Sequence, residues 1–144
     1  MTTPGRVVGL DLGSKRIGVA VCDDSRILAT PYGTIKRVGD QVVEHAEIAN
    51  VVDEISAVLI VIGLPIDMRG DEAIAAKSVL KEAKKMGTRI GVPVETHDER
   101  LTTVTANDFL SELGVRGRDR KDKVDQLAAS VILQSWIDSK SVEI

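Results

Sequence analysis

Residues 58 to 62, Val-Leu-Ile-Val-Ile, form an unbroken apolar run. Successive strand residues point to opposite faces of a sheet, so a run apolar at every position reads as a central strand buried on both sides. The flanking segments supply its neighbours. Three β-rich segments precede it, at residues 6–12, 16–22 and, less regularly, 27–35, with Gly13-Ser14 and Asp23-Asp24-Ser25 as turn chemistry between them. Spacings this short predict antiparallel hairpins. Asp40 opens a helical pattern carried by Val42, Val43, Ala46, Ile48, Ala49, Val52 and Ile55. After Gly63-Leu64-Pro65 come a second helix over 71–86, with Ile74, Val79, Leu80, Ala83 and Met86 as apolar positions, and a short strand over 93–96. A third helix is predicted over 102–113, then a polar loop over 114–123. A last helix follows, with Val124, Leu127, Ala128, Val131, Ile132 and Trp136 on one face.

The order β-β-β-α-β-α-β-α-α predicts an α/β fold. Its sheet is mixed and five-stranded, three antiparallel N-terminal strands extended by two that arrive through helical crossovers, with helices packed on it. At 144 residues and 43% hydrophobic, the chain is expected to form a single domain over 1–144. The net charge of −3 excludes a basic nucleic-acid coat protein, so any nucleic-acid site must be a local patch. The single cysteine, Cys22, lies in an apolar alternation and reads as a small buried hydrophobe in a reducing cytoplasm. No apolar run approaches the roughly 18 residues of a membrane span, and no signal peptide is evident, so a soluble cytoplasmic protein without a membrane partner is expected.

Within "VGLDLGSKRIGVAV", residues 8 to 21, Asp11 shares a strand face with Gly9 and Gly13, while Leu10 and Leu12 point the other way. Alone, such an acid reads as a hydrogen-bond acceptor for the following turn. Asp98 and Glu99 at the end of the last strand, and Asp122 and Asp125 at the start of the last helix, change the weighing. Acids from the ends of different elements can converge on one point, as a two-metal phosphodiester site requires. Carboxylate oxygens with little His or Cys around them suit Mg²⁺ or Mn²⁺. The competing account is local, with Asp122 and Asp125 complementing a helix N-terminus, and it is preferred for Asp122.

"VGLDLGSKRIGVAV", "VIGLPIDMRG", "DERLTTVTA" and "KVDQLAASVILQSWI" together resemble the four signatures of the YqgF/RuvX family, across residues 7 to 137. The resemblance implies an RNase H-like fold and a metal-dependent nuclease. It points chiefly to 5′-end maturation of pre-16S rRNA, with Holliday-junction resolution on branched DNA as the alternative. It also implies that Asp11, Glu99 and Asp125 are the catalytic acids, holding two Mg²⁺ or Mn²⁺ ions about 4 Å apart.

Lys15 and Arg16 directly follow the Asp11 strand and are candidates for phosphate contact. Arg100 is expected either to orient the acids or to touch substrate. Arg116, Arg118, Arg120, Lys121 and Lys123 form a basic stretch just before Asp125, suited to a nucleic-acid backbone. Asp67 is a weak candidate ligand, His97 is expected to make local hydrogen bonds, and His45 is expected on the surface. Aromatic residues make up 2% of the chain, too few for a base-stacking platform. Two rivals compete with the nuclease reading. One is a phosphotransferase, because "LDLGSKRIGVAV" also resembles the first phosphate loop of the actin and sugar-kinase superfamily, whose members close two domains over ATP. The other is a non-catalytic nucleic-acid-binding module. Either a monomer or a homodimer fits the nuclease reading.

Overall fold

The computed structural model describes residues 5–65, 73–98 and 118–141; the side chains of residues 73, 118–122 and 141 lie outside it. Its elements are β1 (Arg6–Leu12), β2 (Arg16–Cys22), β3 (Ala29–Lys36), α1 (Gln41–Ile55), β4 (Ala57–Leu64), α2 (Ala73–Ile90), β5 (Val94–Asp98) and α3 (Arg118–Ser141). The strands form one five-stranded sheet in the order β3-β2-β1-β4-β5. β1 pairs antiparallel with β2 and parallel with β4, β4 pairs parallel with β5, and β2 pairs antiparallel with β3. This is the mixed sheet the sequence predicts. The tight connections join antiparallel neighbours, α1 carries the chain from β3 across to β4 beside β1, and α2 lies between the parallel strands β4 and β5.

Alternation along the strands sorts side chains into two layers. Val8, Leu10, Ile17, Val19, Ile60 and Ile62 face α1 and α2, against Ile48, Val52, Val79 and Met86. On the opposite face, Val7, Ala20, Cys22 and Val61 meet Ala129, Ile132, Leu133 and Trp136 of α3. Ile60, Val61 and Ile62 are fully buried, as the unbroken apolar run requires of an interior strand.

Local chemistry sets several boundaries. The Asp40 side chain accepts a hydrogen bond from the Val42 amide at 3.0 Å and caps α1. β5 starts after Pro93, which has no amide to donate; its carbonyl accepts from the Ile60 amide at 3.0 Å. β5 also runs past the predicted end, to Asp98. Helix α2 continues beyond the predicted residue 86 and closes at Gly91, whose φ of +86° suits a glycine after the last helical turn.

Three expectations are corrected. Helix α3 begins at Arg118, so Arg118, Arg120, Lys121 and Lys123 lie in a helix and not in a loop. After Gly117 the stretch holds no Gly, Pro or β-branched residue, and Arg and Lys are good helix formers despite their charge. His45 is buried, not at the surface, because the inward stripe of α1 is Glu44, His45, Ile48, Val52 and Ile55 and leaves Val42 and Val43 exposed. The buried stripe of α3 is Ala129, Ile132, Leu133, Trp136 and Ile137, with Val124, Leu127, Ala128 and Val131 only partly covered. The predicted helix over 102–113 lies outside the described residues.

The position of α3 depends on missing side chains beneath it. A Cβ on Gly9 would stand 2.7 Å from the Leu133 Cβ, and one on Gly18 would stand 1.9 Å from the Asp125 carbonyl oxygen. Backbone cannot move aside as a flexible side chain can, so the helix seats this deeply only over glycine. Gly18→Ala is therefore expected to destabilise the protein by about 3 kcal/mol. Gly33→Ala, with nothing within 4 Å of the added carbon, is expected to change stability far less. Urea unfolding followed by fluorescence of the chain's one tryptophan, Trp136 on α3, measures both.

Candidate functional site

Strands β1, β4 and β5 run parallel, so their C-terminal ends share one edge of the sheet. In open α/β sheets this is the edge where ligands gather. Asp11 sits near the end of β1, paired across the ladder with Gly18 and turned toward α3. Because the Asp125 backbone closes over that same Gly18, α3 delivers a second carboxylate beside Asp11. The coupling is visible in the chemistry of Asp11. Burial first, then the charge of Asp125, push its carboxyl up to about 6 from an ordinary value of 3.8. Asp125 is held in turn by Arg16, whose Nε donates to Oδ2 at 2.6 Å across a half-buried ion pair.

The site thus joins two acids and one guanidinium from β1, β2 and α3. A buried carboxylate set beside a second one suits a multivalent cation, which relieves the repulsion that burial amplifies. Among the described residues, no group of three or more His, Cys, Asp or Glu side chains forms a metal cage. Glu99, the third acid expected, directly follows β5 and lies outside the described residues, as do Arg100, Arg116 and Asp67. The side chains of Arg118, Arg120, Lys121 and Asp122 lie outside them too. Asp122 falls more than a turn into α3, so its expected place at a helix N-terminus is corrected. Lys15 is exposed in the β1–β2 turn, where it can meet a ligand, whereas the Arg16 Nε is engaged by Asp125. The His97 imidazole bonds to the Ser135 hydroxyl at 2.9 Å, the local role expected of it, and burial lowers its pKa.

Sequence reasoning missed a second cluster, on the face of the sheet opposite the acids. Arg37 donates from Nη1 to Glu44 at 2.9 Å and to Glu82 at 3.0 Å, and from Nη2 to Glu82 at 3.1 Å. The other Glu44 oxygen accepts from the amides of Val38 and Gly39 at 2.8 and 3.1 Å. Burial pushes both carboxyls up. The hydrogen bonds outweigh it, from Val38 and Arg37 to Glu44 and from Arg37 and His45 to Glu82, and leave both below the usual range. A signal did exist. Glu44 and His45 fall on the helical stripe that carries Ile48, Val52 and Ile55, where a polar residue must find a partner.

A model of the family described as RuvX, Holliday junction resolvase, matches residues 5–139. The chain belongs to the RuvX family. A relative from Rhodococcus opacus is 43% identical over 141 residues, spanning 95% of this chain and 79% of its own, and carries the provisional name pre-16S rRNA nuclease. One from Mycobacteroides abscessus, with the same name, is 41% identical over 137 residues, spanning 94% and 82%. Among solved structures, Thermus thermophilus RuvC in complex with a Holliday junction substrate superposes with a TM-score of 0.58 at 16% identity, over 95% of this chain and 96% of that one. Fowlpox virus resolvase with Holliday junction DNA gives 0.51 at 10% identity, over 94% and 98%. These likenesses establish the RNase H-like fold.

In this RuvX chain the raised Asp11 pKa is also a statement about stability. The folded state holds its proton up to about pH 6 while the unfolded chain releases it near 3.8, so stability falls as pH rises through that window. Asp11→Asn removes the buried charge. Without divalent cations it is expected to stabilise the protein at pH 8 by about 2 kcal/mol and to leave stability almost unchanged at pH 3.5, as read by urea unfolding at the two pH values.

Proposed function

We propose that this chain is a metal-dependent nuclease that hydrolyses phosphodiester bonds, with Asp11, Glu99 and Asp125 as its catalytic carboxylates. The observation that carries the reading is the meeting of Asp11 and Asp125, far apart in sequence, under one electrostatic coupling at the C-terminal edge of the sheet. Membership of a family of nucleases and resolvases supports it. Asp11 and Asp125, with Glu99, would hold Mg²⁺ or Mn²⁺, which would supply activation of an attacking water and charge stabilisation of the leaving oxygen. The chain's own residues do the rest. Arg16 fixes the rotamer of Asp125 and offsets part of the acid repulsion. Lys15, exposed beside them, neutralises an incoming phosphate. Helix α3 brings Arg118, Arg120, Lys121 and Lys123 along its first turns, ahead of Asp125, as backbone-directed contacts that ignore base identity.

The substrate we favour is a pre-16S rRNA 5′ region, following the name carried by the relatives at 41–43% identity. The family description supports a second substrate, a four-way DNA junction. With Mn²⁺ or Mg²⁺ present, the protein is expected to cleave one of these two. A chelator abolishes the activity, and Asp11→Asn or Asp125→Asn lowers kcat by at least about a thousandfold with Trp136 fluorescence unchanged. A competition assay offering both substrates to one enzyme decides between them. Nucleic-acid binding without metal-dependent cleavage, indifferent to Asp11→Asn, would instead identify a binding module.

A further inference from the structure

The Arg37 cluster is costly for what it returns in stability. Glu44, Glu82 and His45 are all buried, and buried ion pairs contribute little net free energy compared with apolar residues of similar volume. Its geometry shows where the arrangement acts. Arg37 reaches the β1–β2 turn twice, with its backbone amide on the Lys15 carbonyl at 2.9 Å and its Nε on the Gly13 carbonyl at 2.8 Å. The Gly13 amide in turn bonds to the carbonyls of Asp11 at 3.1 Å and Arg16 at 3.0 Å. The carbonyls of residues 11, 13, 15 and 16 are thereby all tied down, and they belong to the segment that bears Asp11, Lys15 and Arg16.

The guanidinium is itself held by two carboxylates. Glu82 takes both Nη atoms, Glu44 takes Nη1, and His45 Nε2 meets Glu82 Oε2 at 2.8 Å. Arg89 lies 3.1 Å from His45 Nδ1. A guanidinium can only donate, so Nδ1 accepts and the imidazole proton sits on Nε2, aimed at Glu82. Arg89 thus donates to His45 and His45 to Glu82, which also accepts both Nη atoms of Arg37 and leaves the Arg37 Nε directed at the turn. A lysine cannot reproduce this fork, because one ammonium cannot meet Gly13, Glu44 and Glu82 in the same directions.

We propose that Arg37 is a positioning residue, which acts from the opposite face of the sheet through the Gly13 carbonyl to set Arg16, and through it Asp125, at the acid site. The proposal rests on the nuclease reading for its consequence in catalysis but not for the positioning itself. Arg37→Lys is expected to lower kcat by about tenfold or more with KM within about twofold, as a small misplacement of reacting groups does. Ile55→Ala, a cavity in the same apolar layer at the far end of α1 from Glu44, is expected to lower stability and leave kcat unchanged at temperatures where the protein stays folded. The readout independent of cleavage is nuclear magnetic resonance of the Gly13 amide and of the Arg16 Nε–H that bonds Asp125. Arg37→Lys should shift both, and Ile55→Ala neither. Unchanged Gly13 and Arg16 resonances in Arg37→Lys would overturn the proposal, and so would equal kcat losses in the two variants. Shifted resonances in a protein that cleaves neither substrate would uphold the positioning and reject the nuclease reading.

Discussion

The structure depends on how near one helix can come to one pair of strands. Where α3 crosses β1 and β2, Gly9 and Gly18 leave no side chain between sheet and helix, so backbone meets backbone. From this contact follow the burial of Asp11, the nearness of Asp125 and the reach of Arg16 to its carboxylate. A helix one side chain further out would leave two solvated acids with little influence on each other. Packing and electrostatics are here one constraint, since the same missing carbons admit the helix and concentrate the charge.

The two faces of the sheet handle polar groups in opposite ways. Beneath α1 and α2, the buried carboxylates of Glu44 and Glu82 are matched by Arg37, His45 and backbone amides until both lie below their ordinary pKa. Beneath α3, Asp11 has no matching cation among the described residues, and burial and the Asp125 charge raise it above its own. A matched cluster rigidifies, while an unmatched acid stores free energy that a cation can release. The β1–β2 turn passes between them, with its Gly13 and Lys15 carbonyls bound by Arg37 on the first side and Arg16 bound to Asp125 on the second.

Much of this was legible before any coordinates. The run at 58–62, the short spacings of the first three strands and the Asp40 cap predict the five-stranded mixed sheet, because alternation and turn chemistry are local properties. Asp11 and Asp125 were legible as candidate acids, the first from its strand face and its glycine neighbours. The Arg16–Asp125 pair was not, since nothing local announces a contact between a turn and a helix so distant in sequence. The stripes of α1 and α3 were misjudged for a related reason. Apolar spacing marks every hydrophobic residue alike, and only the shape of the opposing surface decides that His45 goes in while Val42 and Val43 stay out. The basic stretch read as a loop because its glycines and charges outweighed the helix propensity of Arg and Lys.

The Arg16–Asp125 bond closes a gap of 109 positions in the chain. Contacts of such separation form late, after the local hairpins and helices have paid most of the chain entropy. During synthesis Asp11 and the hairpin around it emerge first, and α3 emerges among the last residues of this sequence. The acid pair therefore does not exist on a partly made chain.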